Sequence, residues 1–128
     1  MKHLTIALTL ALAANAADAK NSLLYRLDIN TVSATSYEVV QRPGGGISGI
    51  WCAAADHAIK TLGIDRGRIY VERALGPSLT SPGKKGVVFS TRPVPAEASG
   101  SSSVRSAGAN LRVGHAIQFC RDKTATDR

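Results

Sequence analysis

From Ser22 to Thr31 the chain alternates, with Leu23, Tyr25, Leu27 and Ile29 on one face and Leu24, Arg26, Asp28 and Asn30 on the other. A period of two marks a half-buried strand. A polar break at Ser33-Ala34-Thr35-Ser36 follows, and Tyr37–Arg42 reads as a second strand. So short a separation predicts an antiparallel hairpin. Pro43 and three glycines end it, and from Ile47 the period changes. Ile47, Ile50, Trp51, Ala54, Ala58 and Leu62 fall on one side of a 3.6-residue turn, and Ala55 and Ile59 widen the stripe. This predicts a helix over Ile47–Leu62, the longest in the chain, with Gly63 at C′. Trp51 lies centrally in the stripe and is expected in the core. Asp56 and Lys60 lie opposite as an i, i+4 acid-to-base pair facing solvent.

Beyond the helix, Arg68–Arg73 and Val87–Thr91 are β-rich, and Gly76–Gly86 between them holds two prolines. That arrangement predicts a long hairpin whose loop carries Lys84 and Lys85 at its tip. Pro93–Ser103 is poor in core-forming residues and reads as a mobile connection. The C-terminal part supports two readings. Leu111, Val113, His115, Ile117 and Phe119 alternate as in a strand, whereas Val113, Ala116, Ile117 and Cys120 follow helical spacing and turn Cys120 inward. The helix, from about Val113 to Cys120, is preferred because Cys120 is expected to reach Cys52. The fold expected is α+β: a small antiparallel sheet of about four strands, one main helix on one face, a short C-terminal helix and one disulfide.

The first 19 residues change the picture of where this domain works. A short basic start, an apolar run from Leu4 to Ala14 and A-x-A sequences at Ala14-Asn15-Ala16 and Ala17-Asp18-Ala19 form the pattern of a secretory signal peptide. The run is shorter than the roughly 20 residues a spanning helix needs. Residues 20–121 are then expected to form a single domain and 122–128 a frayed tail. Export, periplasmic or extracellular, places the only two cysteines, Cys52 and Cys120, in an oxidising compartment, where they are expected to pair. Lys2 and Asp18 cancel, so the exported part keeps the whole formal charge of +7. Such a field favours an anionic envelope surface, or a protein partner of matching charge.

Candidate chemistry is sparse. Gly44-Gly45-Gly46-Ile47-Ser48-Gly49 satisfies G-x-G-x-x-G between a strand and a helix, with Glu72 on the next strand as the acid of a dinucleotide site. The chain is too short for both halves of that fold, and no crossover helices follow Glu72, so no cofactor is expected. The glycines read instead as a turn. Arg42, Gly44, Gly45 and Gly46 at the helix N-terminus are the candidate for holding one anion. Cys52 and His57 stand on opposite edges of one helix and do not make a thiol–imidazole pair. No C-x-x-C or H-x-x-x-H spacing indicates a metal site, and no G-x-S-x-G elbow indicates a serine nucleophile. Glu38, Glu72 and Asp56 fall at positions that read as solvent-facing. One Trp, three Tyr and two Phe, mostly in apolar patterns, form no stacking platform for nucleic acid.

Arg66, Arg68, Lys84, Lys85 and Arg92 are the expected basic surface. The function expected is a non-catalytic envelope binding module that does not span the membrane. The alternative is a small secreted hydrolase, or other enzyme, whose site is assembled from dispersed residues.

Overall fold

The helix announced by the apolar stripe forms over Ile47–Lys60 (α1), ending two residues before Leu62, which is exposed. Gly63 takes φ +70°, a conformation that favours glycine, in the turn that brings the Ile64 amide to the Ala58 carbonyl at 2.8 Å. The Asp56–Lys60 pair forms on the outer face at 2.9 Å. This computed structural model describes residues 27–43, 46–95 and 101–120. The expected leader, the start of the first strand, Gly44, Gly45 and the tail lie outside the described residues.

Five strands make one antiparallel sheet: β1 (Ile29–Thr31), β2 (Ser36–Val40), β3 (Arg68–Pro77), β4 (Lys85–Ser90) and β5 (Asn110–Arg112). Their order is β1-β2-β4-β3-β5, so the expected hairpins β1–β2 and β3–β4 are both present and lie side by side. The fifth strand is one more than the pattern suggested. It is only three residues long and runs directly into a second helix, α2 (Val113–Ala116), after which helical residues resume up to Cys120. The ambiguity of this stretch has a physical origin: a strand and a helix share it, each for part of its length.

One face of the sheet carries Tyr37, Val39, Val87, Phe89, Ile69, Val71 and Leu111, and α1 covers it with Ile50, Trp51, Ala54, Ala55 and Ala58. Most of the helix face is alanine, so Trp51 and the sheet side chains fill the space between layers. Trp51 meets Phe89 edge-on at 5.2 Å, and Phe89 lies 6.0 Å from Tyr37. The two polar handles in this core are bonded. The Tyr37 hydroxyl donates to the Ala54 carbonyl at 2.7 Å, and the Trp51 indole donates to the Ser102 carbonyl at 3.0 Å. Burial pushes the Tyr37 phenol far above its ordinary range.

The second of those bonds revises the expectation for Pro93–Ser103. Its last residues, Ser101–Ser103, are fastened to the core: Ser101 accepts from the Asn110 amide at 2.9 Å, and Val104 just beyond is fully buried. At Ser101 and Ser102 the backbone carbonyls make these contacts; residues 96–100 lie outside the described residues.

The disulfide Cys52–Cys120 forms, with Cα atoms 5.0 Å apart, and ties α1 to the C-terminal segment across 68 residues. Closing a loop of that length restricts the unfolded chain by about 4 kcal/mol in the chain-entropy picture.

The other face of the sheet corrects the expectation for Glu38. That residue does point away from α1, as its alternation with Tyr37 and Val39 demands, but it is 1 % exposed. The loop after β3 folds back over it. Ser78 Oγ and Thr80 Oγ1 donate to Oε1 at 2.6 and 2.5 Å, the Thr80 amide donates to Oε1 at 3.1 Å, and the Leu79 amide donates to Oε2 at 2.8 Å. Burial alone would raise the carboxyl's pKa. These four donors outweigh it and hold the group below the usual carboxylate range. Gly86, which follows Lys85 on β4, leaves room for the side chain: a Cβ there would stand 2.8 Å from the carboxyl carbon. Two register shifts in β3, between Val71 and Gly76, accompany the bending of that strand.

Candidate functional site

At the end of the sheet where β3 begins, the turn Asp65-Arg66-Gly67, the first residue of β3 (Arg68), the last of β5 (Arg112) and the α2 region (Gly114, His115, Gln118) surround an open cleft of about 850 Å³. Local sequence explains the shape. Gly67 takes φ +97°, and its carbonyl accepts the Val113 amide at 3.0 Å, so the turn before β3 is stitched to the first residue of α2. Apart from its chain neighbours and its own helix backbone, Gly114 has no atom within 4 Å of where a Cβ would stand, so its position opens onto free space.

The strand register then sets the charges. Arg68 and Arg112 are direct partners across the β3–β5 pair. In an antiparallel pair that places their Cα atoms about 4.5–5.5 Å apart, and like charges so placed repel. Among the described residues neither forms an ion pair, the Lys60–Asp56 pair being the one present there. Arg68 is also held in place. Its Nε donates to Asn110 Oδ1 at 2.6 Å, and Asn110 Nδ2 donates in turn to the Gly108 carbonyl at 3.0 Å, which fixes the amide's orientation. Among the described residues no hydrogen bond engages the Arg68 Nη groups. His115 stacks on Phe119 at 6.0 Å between centroids and stays exposed.

Of the basic residues singled out in the sequence, Arg66 and Arg68 line this cleft. Lys84 precedes β4, Lys85 is its first residue, and Arg92 lies two residues beyond its last, Ser90, so the strand separates the lysines from Arg92. Arg42 and Gly46 are exposed at the N-terminus of α1 and do not line the cleft. Gly46 caps that helix without any side-chain hydrogen bond. Sequence reasoning missed Arg112, Gln118 and the bracing residue Asn110. No local signal marks Arg112 or Asn110, because the three residues of β5 are too few to show a period.

The lining offers three guanidiniums, an imidazole, a carboxamide and one carboxylate, a set that donates hydrogen bonds and attracts anions. The other candidate groups are engaged elsewhere. Cys52 and Cys120 are both oxidised and supply neither a thiolate nucleophile nor a metal ligand. His57 packs against Tyr37 at 4.5 Å, and burial lowers its pKa against the opposing pull of Asp56. Glu72 is exposed, and Asp56 is partly exposed and paired with Lys60. Among the described residues no cluster of three His, Cys, Asp or Glu side chains could hold a metal ion, and no helix is long and apolar enough to cross a membrane. Comparison with protein-family models, curated proteins and solved structures returns no match, so any functional assignment rests on this geometry.

Proposed function

We propose that this chain is an exported binding module of the cell envelope, acting in the periplasm or outside the cell, whose basic cleft holds an anionic group of a ligand or partner. The observation that carries the proposal is the cross-strand pair Arg68 and Arg112, with Arg66 beside it and, among the described residues, no acid paired with any of the three. Two like charges in register weaken a sheet by up to about 1 kcal/mol. An anion bound between them reverses that cost. The leader-like N-terminus and the formed disulfide support export.

The test is binding of the protein to anionic and zwitterionic vesicles, and to soluble anions, across a salt series. Retention is expected to fall steeply with salt, since exposed charges are screened beyond about 8 Å at physiological ionic strength. Arg68→Gln and Arg112→Gln should each weaken it more than Lys84→Gln does. Salt-independent retention, or equal effects of all three substitutions, would leave only a diffuse charge effect and remove the cleft from consideration.

A further inference from the structure

We infer that the anionic group this cleft takes is a phosphomonoester. The inference rests on the anion-binding proposal above and specifies its ligand. It begins with charge. Arg66, Arg68 and Arg112 against Asp65 give the lining an arginine-over-aspartate excess of +2. A phosphomonoester carries about −1.5 to −2 at neutral pH. A carboxylate or a sulfate ester carries a single negative charge and leaves one guanidinium uncompensated.

Geometry selects in the same direction. A planar carboxylate has two oxygens, which one arginine fork saturates. Arg68 and Arg112 stand directly across from each other on neighbouring strands, so two forks are available to one site. A tetrahedral group with three terminal oxygens offers acceptors to both forks at once.

The site is also ordered before anything binds. Asn110, 9 % exposed, takes the Arg68 Nε and is itself fixed by Gly108. The side-chain freedom that binding would otherwise remove is therefore already reduced at Arg68. Asn110 is a positioning residue, acting on the ligand through Arg68. The cleft's 850 Å³ exceeds what a phosphate alone fills, leaving room for the group that bears it. That group is either the body of a soluble sugar phosphate or the headgroup region of a lipid.

The experiment titrates the purified protein with inorganic phosphate, methyl sulfate and acetate at constant ionic strength, following the Nε–Hε resonances of Arg68 and Arg112. Phosphate is expected to shift both saturably, with a Kd at least tenfold below those of the other two anions. Arg112→Gln should weaken phosphate binding at least tenfold. Gly114→Leu, which narrows the cleft without altering its charge, should do the same while the thermal melt stays within a few degrees of wild type. Asn110→Ala should weaken binding and broaden the Arg68 resonance while leaving that of Arg112 sharp.

Two further arms identify the source. Preferential retention on phosphatidic acid vesicles over phosphatidylglycerol vesicles of equal charge assigns the ester to a lipid. Tighter binding of glucose 6-phosphate than of inorganic phosphate, without such retention, assigns it to a soluble sugar ester. Acetate or methyl sulfate binding as tightly as phosphate overturns the phosphomonoester and leaves the anion-binding cleft standing. If no anion moves either arginine resonance, both fall.

Discussion

Glu38→Gln separates the carboxylate's charge from its shape. The amide fits the same volume, and its best orientation places the oxygen at Oε1. There it keeps the bonds from the Ser78 and Thr80 hydroxyls and the Thr80 amide. The NH2 group then stands where Oε2 was and meets the Leu79 amide, which loses its acceptor. An orphaned donor costs about 1–3 kcal/mol, and bonds to a charged acceptor are each about 1 kcal/mol stronger than neutral ones. Relief from burying a charge offsets part of this. The net loss expected is about 3 kcal/mol at pH 7.

The pH dependence carries the sharper test. A carboxyl whose pKa is lowered on folding stabilises fully above its unfolded value, here the ordinary 4.5, and that contribution disappears as pH falls through the lower folded value. The glutamine variant lacks this titration, so the stability gap between the two proteins should narrow as pH drops from 5 towards 3. Urea denaturation followed by fluorescence measures both quantities, because Trp51 is the only tryptophan and is buried. A gap below 1 kcal/mol at pH 7, or one that is unchanged at pH 3, would refute this account of Glu38.

Gly86→Ala should destabilise by about 1–3 kcal/mol through overpacking, because its Cβ would lie 2.8 Å from a carboxylate that four hydrogen bonds prevent from moving aside. In a Glu38→Ala background the same change should cost less than half as much, a coupling that a double-mutant cycle reads directly. Replacing Cys52 and Cys120 together by alanine and serine should lower stability by about 2–4 kcal/mol in the same urea assay. An unchanged denaturation midpoint would show that the staple contributes nothing.

The main elements follow from local periodicity. The 3.6-residue stripe from Ile47 buries Ile50, Trp51, Ala54, Ala55 and Ala58, because a helix can hide only one side of itself. The hairpins, the inward Cys120 and the pairing with Cys52 are legible for the same kind of reason: each depends on spacing within a short window or on there being only two cysteines. β5 is not legible, since three residues make too short a window for any period to show. Of the cleft, Arg66 and Arg68 stand out in the sequence as part of a basic surface, but nothing local singles them out from Lys84, Lys85 or Arg92.

By itself, then, the sequence determined the α+β class, the helix, the staple and the excess of positive charge, all properties of composition and near-neighbour pattern. Only the tertiary structure decided what Glu38 and Arg68 do. Alternation tells which face of a strand a side chain takes but not what covers that face, and Glu38 is buried by a loop 40 residues further on. The same limit applies to Arg68, whose neighbours Asn110 and Arg112 arrive through strand register from more than 40 positions away. Register is set by the packing of the whole sheet, and that is why two arginines remote in the chain become one charged cleft.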